Sequence, residues 1–134
     1  MILKQIIAFA FAALIVSISP VSACQLDNTE WRPMKVGQEA MQNIPQFVQF
    51  ADDDTVLGNI GCNGFRGNYQ LTTHKISITL LPMTKIGCPT QKFNDQQRMF
   101  LNALDKAAYY ERTGTKLVLI DRDGQKLAEL LERH

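Results

Sequence analysis

The stretch GCNGFRGNYQL, residues 61–71, sets Cys62 among three glycines, two asparagines and two aromatics. Three kinds of chemistry could use such a segment: a nucleophilic thiol on a permissive loop, a metal or phosphate cradle, or a structural corner held by a disulfide. A nucleophilic cysteine needs a base to keep it as thiolate. The histidines are His74, within the turn-like run TTHK, and His134, the last residue. Neither lies in a setting that would orient it as a base. No Cys-x-x-Cys pair is present for thiol–disulfide exchange. Cys62 and Cys88, 26 positions apart with no histidine nearby, do not make a tetrahedral metal set. The run Asp52, Asp53 and Asp54 lacks the spaced ligands and distal glutamate of a calcium loop. A phosphate cradle needs its glycines to open a helix, and here strand-like runs lie on both sides. The residues therefore point to no catalytic, cofactor or metal site. Gly61, Gly64 and Gly67 read as positions where the backbone turns or bulges, in a corner pinned by its cysteine.

The elements that would position this corner are mostly strands. TEWRPMKV (29–36) reads as a first strand, with Pro33 suggesting a sheet edge. QFVQF (46–50), TVLGNI (55–60), NYQLT (68–72), KISITL (75–80), YYERT (109–113), KLVLI (116–120) and KLAELL (126–131) follow, separated by turn residues such as DRDG at 121–124. One segment departs from the rhythm. QKFNDQQRMFLNALDKAA (91–108) is apolar at Phe93, Phe100, Leu101, Leu104 and Ala108, one side of a helix, with Asp95 and the glutamines elsewhere. The expectation is a mainly β fold with one α-helix, a small antiparallel barrel-like sheet whose edges the helix covers. Phe47, Phe50, Ile76 and Leu117 are candidates to fill its centre.

The first 23 residues carry one early cation, Lys4, then a near-continuous apolar run from Ile6 to Ile18 and small residues to Ala23. This is the plan of a secretory signal peptide, too short for a membrane span of about 20 apolar residues. The remainder, about 110 residues, makes one domain. A net charge of +1 over 134 residues, with the basic residues scattered, points to neither nucleic acid nor an anionic membrane surface as partner. Three cysteines leave one over. Cys24, in VSAC, resembles the acylated cysteine of a bacterial lipobox, and its lipidation would leave Cys62 and Cys88 as a disulfide pair. Ordinary cleavage after Ala23 fits the same residues.

The two blocks GCNGFRGNYQL and LLPMTKIGCP (80–89) resemble the signature of the META domain, the family of the heat-shock protein HslJ. The first block matches at Gly61, Cys62, Asn63, Phe65, Gly67 and Tyr69, and the second at Thr84, Cys88 and Pro89. LDNTEW (26–31), with Trp31, resembles the family's opening, and the likeness runs over about residues 26–132. Gly64 departs from the pattern, standing where the family often has arginine or lysine. The resemblance implies a barrel-like META fold and an exported or membrane-anchored protein, in the periplasm or held at the outer membrane. It implies a role in stress response or envelope integrity and no established catalytic activity. The expected function is non-enzymatic. A lipid-binding or pilotin-like module, or an inhibitor of a hydrolase, is the alternative. The partner is then an envelope protein or an apolar ligand, and the membrane is met only through an N-terminal lipid.

Overall fold

The computed structural model describes residues 8, 10, 12–15, 26–41, 45–83 and 85–134. Among them are nine strands and one helix: β1 (Thr29–Val36), β2 (Glu39–Ala40), β3 (Phe47–Phe50), β4 (Thr55–Asn59), β5 (Gly64–Leu71), β6 (Ile76–Leu80), α1 (Gln91–Lys106), β7 (Tyr109–Thr113), β8 (Lys116–Ile120) and β9 (Lys126–Arg133). The strands form one antiparallel sheet in the order β6-β5-β4-β3-β1-β9-β8-β7, with β2 paired to β1. The two ends of this order meet at a bridge between Lys75 and Tyr109. Hydrogen bonds from Ile76 N to Ala108 O and from Tyr110 N to His74 O, both 3.0 Å, support it. The sheet is a nearly closed barrel, as its short alternating strands predict.

β1 is not the edge strand that Pro33 suggests. It pairs with β9 along most of its length and with β3 at Thr29, Glu30 and Trp31. Pairing with β3 ends before Pro33, and the β9 register shifts between Pro33 and Lys35. A bulge leaves a local break in the ladder, so a residue without an N–H is tolerated in a central strand there.

The interior is filled. Trp31, Phe50, Phe100, Leu104, Leu117 and Leu130 are fully buried, and Ile76 is 3% exposed. Phe47 is only half-buried and does not share that interior; the Arg133 guanidinium lies 6.0 Å from its ring. The parity of β3 explains this, since Val48 and Phe50 are the buried positions of the strand.

α1 is capped by Thr90, whose Oγ1 accepts from Phe93 N at 3.2 Å. It lies against β1, β6, β8 and β9 and buries Phe100, Ala103 and Leu104. Helical spacing brings these three onto one stripe. Gln96 joins them, only 7% exposed, so the glutamines do not all fall on the outer side. The helix ends at Lys106, because the chain must extend at Ala107 and Ala108 to enter the bridge with β6.

Candidate functional site

The glycine-rich stretch divides into a tight corner and a strand. The corner is at residues 60–63, where Ile60 N donates to Asn63 O at 2.9 Å. Gly61 sits at φ 148°, a conformation that disfavours any residue with a Cβ, and its N–H donates to Asn59 Oδ1 at 2.7 Å. β5 then starts at Gly64, earlier than the alternation predicts, so neither Gly64 nor Gly67 has a positive φ. Gly67 is required for another reason. A Cβ there would lie 2.1 Å from Thr79 O on the neighbouring strand. At Gly64 the nearest atom would be Gly58 O at 3.5 Å, ordinary contact, so a side chain could be accommodated there.

Cys62 and Cys88 are bonded, with S–S 2.08 Å and Cα atoms 5.5 Å apart. In this state Cys62 has no thiolate to offer. The bond ties the corner to the segment leaving β6. Asn63, 4% exposed, ties it a second time: its Oδ1 accepts from Ile86 N at 2.7 Å and its Nδ2 donates to Ile86 O at 2.9 Å. This two-point grip on one residue's backbone, with the disulfide, holds Ile86 and Cys88 against the corner.

Gln97 on α1 completes the junction. Its Oε1 accepts from Cys62 N at 2.8 Å, from Asn63 N at 3.0 Å and from Asn63 Nδ2 at 3.0 Å. Asn94, one turn earlier, accepts from Cys88 N at 3.2 Å through Oδ1. Gln46, 2% exposed, donates to Ile60 O at 2.7 Å and to Gln96 O at 3.1 Å. None of these three side chains stands out in the sequence. Gln97 and Asn94 lie outside the apolar stripe, and Gln46 precedes a strand, so each reads as a solvated polar residue.

The other motif residues serve the same framework. Phe65 is buried in the core at 5% exposure. Tyr69 stacks edge-on with Phe50, ring centroids 5.0 Å apart, and its hydroxyl lies 2.5 Å from Asp27 Oδ1 and 2.8 Å from Ala51 O. Pro89 immediately precedes the helix cap, and Thr84 lies outside the described residues. Cys24 and the rest of the export and lipidation signals, apart from residues 8, 10 and 12–15, also lie outside them. His74 is exposed in the β5–β6 turn and His134 is exposed at the C-terminus. Among the described residues no group of three or more His, Cys, Asp or Glu is placed to hold a metal ion.

What this framework shapes is a cleft. About 920 Å³ of space opens between α1 and the 80–87 segment. Leu80, Leu81, Met83, Ile86 and Leu101 supply its apolar surface, with Ile60 among the residues lining it. Ile86 is 64% exposed and Leu81 44%. Lys85, Asn94 and Gln97 line it toward the disulfide, and Asn102 and Asp105 line it further along α1.

No curated protein matches the sequence. Two solved structures share the fold. One, described as an NMR structure of the protein, has 22% identity and a TM-score of 0.65, covering 83% of this chain and 95% of its own. The other, an NMR structure of a protein from Burkholderia xenovorans, has 20% identity and a TM-score of 0.63, covering 95% of this chain and 99% of its own. The family model for the META domain matches residues 24–134, most of the chain and all of the corner, the helix and the cleft just described. The chain therefore belongs to the META domain family.

Proposed function

We propose that this META protein is exported, acts in the cell envelope without catalysing a reaction, and works by binding through the cleft between α1 and the 80–87 segment. One observation carries the reading. The chemically capable motif residues are spent on building the walls of that cleft: Cys62 on Cys88, and Asn63 on Ile86 and Gln97. Neither Cys62 nor Asn63 is held beside a base.

Export draws support from two features. The N-terminal apolar run follows the plan of a signal peptide, and its described residues Leu14 and Ile15 stand 87% and 88% exposed, outside the packed core. A disulfide joining the corner to the segment after β6 suits an oxidising compartment. With Cys24 acylated, the domain would be anchored in a membrane leaflet; with cleavage after Ala23 it would be free. A role in maintaining the envelope under stress follows from the family resemblance together with this location.

The test is genetic. A strain lacking the protein is challenged with heat and with detergent, then complemented with wild type, with His74→Ala and with Ile86→Glu. Full rescue by the histidine variant and none by Ile86→Glu, at equal protein levels, is the expected result. Rescue by Ile86→Glu as complete as wild type would overturn the cleft as the working surface. Growth in a labelled fatty-acid analogue separates the two N-termini, since label on wild type and not on Cys24→Ser marks the lipidated form.

A further inference from the structure

We propose that the cleft takes an unbranched fatty acid, its carboxylate held toward the disulfide and its chain laid along α1. This rests on the binding reading above and names the ligand class. The argument turns on which polar atoms remain available in the cleft. An amide side chain has an acceptor end and a donor end, and here the orientation of two amides is forced by backbone N–H groups. Gln97 Oε1 receives Cys62 N and Asn63 N, so its Nε2 points away from the corner's donors. Asn94 Oδ1 receives Cys88 N, so its Nδ2 is likewise left over. Both residues line the cleft, as does Lys85, whose ammonium is a third donor. That end of the cleft therefore offers N–H groups and the positive charge of Lys85, with Arg98 also lining it but paired to Asp95 at 2.8 Å, and the side-chain acceptors of Gln97 and Asn94 already occupied. This suits an anionic oxygen ligand.

The neighbouring surface is apolar, from Leu80, Leu81, Met83, Ile86 and Leu101. Acceptor side chains return only at Asn102 and Asp105. From Asn94 to Asp105 the helix rises about 17 Å, a length that suits an extended acyl chain. A monoanionic head and an apolar tail match donors at one end and hydrocarbon beyond. A peptide of the same length would bring backbone N–H groups over a surface whose nearby side-chain acceptors are spent, and burying a donor without a partner is costly. The barrel interior is filled by side chains, so this ligand lies in the cleft and is no part of the core.

The experiment uses protein purified from the envelope and freed of bound lipid, with displacement of a fluorescent polyene fatty acid as readout. Laurate is expected to displace the probe, and dodecanol, the same chain without the carboxylate, to do so markedly less well. Lys85 is exposed, and Lys85→Met should weaken laurate by about fivefold, as expected for a solvated ion pair, while leaving dodecanol unchanged. Ile86→Glu should weaken both. Unchanged melting temperatures show that the variants remain folded. Equal binding of laurate and dodecanol, or no effect of Lys85→Met on laurate, would overturn the proposal. So would tighter displacement by an apolar peptide with a free C-terminal carboxylate. Absence of laurate binding, with Ile86→Glu still failing to rescue the strain, would remove the fatty acid and leave the cleft reading standing.

Discussion

Replacing Asn63 tests the junction that shapes the cleft. The wild-type side chain makes three hydrogen bonds, of 2.7, 2.9 and 3.0 Å, to Ile86 N, Ile86 O and Gln97 Oε1. At about 1 kcal/mol each, Asn63→Ala should cost about 3 kcal/mol. Ile86 is exposed, so water can reach its freed groups, which keeps the loss near that sum. Against a total of about 5–15 kcal/mol this is large, and it corresponds to a fall in melting temperature of about 10–15 °C. Asn63→Asp is the sharper variant. It keeps the oxygen that accepts from Ile86 N but places a second oxygen against two acceptors, Ile86 O and Gln97 Oε1. Only the protonated acid can donate there, so folding raises the carboxyl above its usual range. A raised folded-state pKa means that the folded form binds the extra proton. The carboxyl's contribution is therefore present below its unfolded value, near 3.9, and lost as pH rises through the folded value. Asn63→Asp should be at least as destabilising as Asn63→Ala at pH 7 and closer to wild type at pH 4. Urea melts of all three proteins at both pH values measure this. A loss below about 1 kcal/mol for Asn63→Ala, or an Asn63→Asp penalty that does not shrink toward pH 4, would refute the reasoning.

Three further outcomes are expected. Replacing Cys62 and Cys88 together by serine opens a loop with a separation of 26 residues, which chain entropy values at up to about 3.5 kcal/mol, measured by denaturant melts; thiol counting on unreduced wild type should find neither cysteine free. Gly67→Ala drives a Cβ to 2.1 Å from Thr79 O and should cost about 3 kcal/mol or more, whereas Gly64→Lys meets only ordinary contact and should change stability by less than about 0.5 kcal/mol. Tyr110 is buried, and desolvation raises its hydroxyl above the usual 10.0, so its neutral form favours the fold below that value and the benefit is lost as pH rises through the folded value. Stability should therefore decline above pH 10, and Tyr110→Phe, although it loses the 3.0 Å bond to Thr72 O, should show a shallower alkaline decline.

Strand alternation, turn residues and one amphipathic segment were enough to specify most strands, the helix and a mainly β, barrel-like architecture. These are local properties: a period of two or of 3.6 is written directly into residue order. The glycine-rich block was legible as a corner, because few side chains tolerate a backbone like that of Gly61. Its function within the molecule was not. That Gly67 serves close strand approach, that Pro33 lies at a bulge in a central strand, and that Phe47 turns away from the filled interior all depend on which strand neighbours which. The cleft belongs wholly to the tertiary structure. Asn63 meets Ile86 across 23 residues and Gln97 across 34, and Gln46 meets Gln96 across 50. No periodicity records such partners: a glutamine exposed to water and one that caps a backbone corner occupy the same kind of position on a helix, and only the folded chain brings the corner within reach.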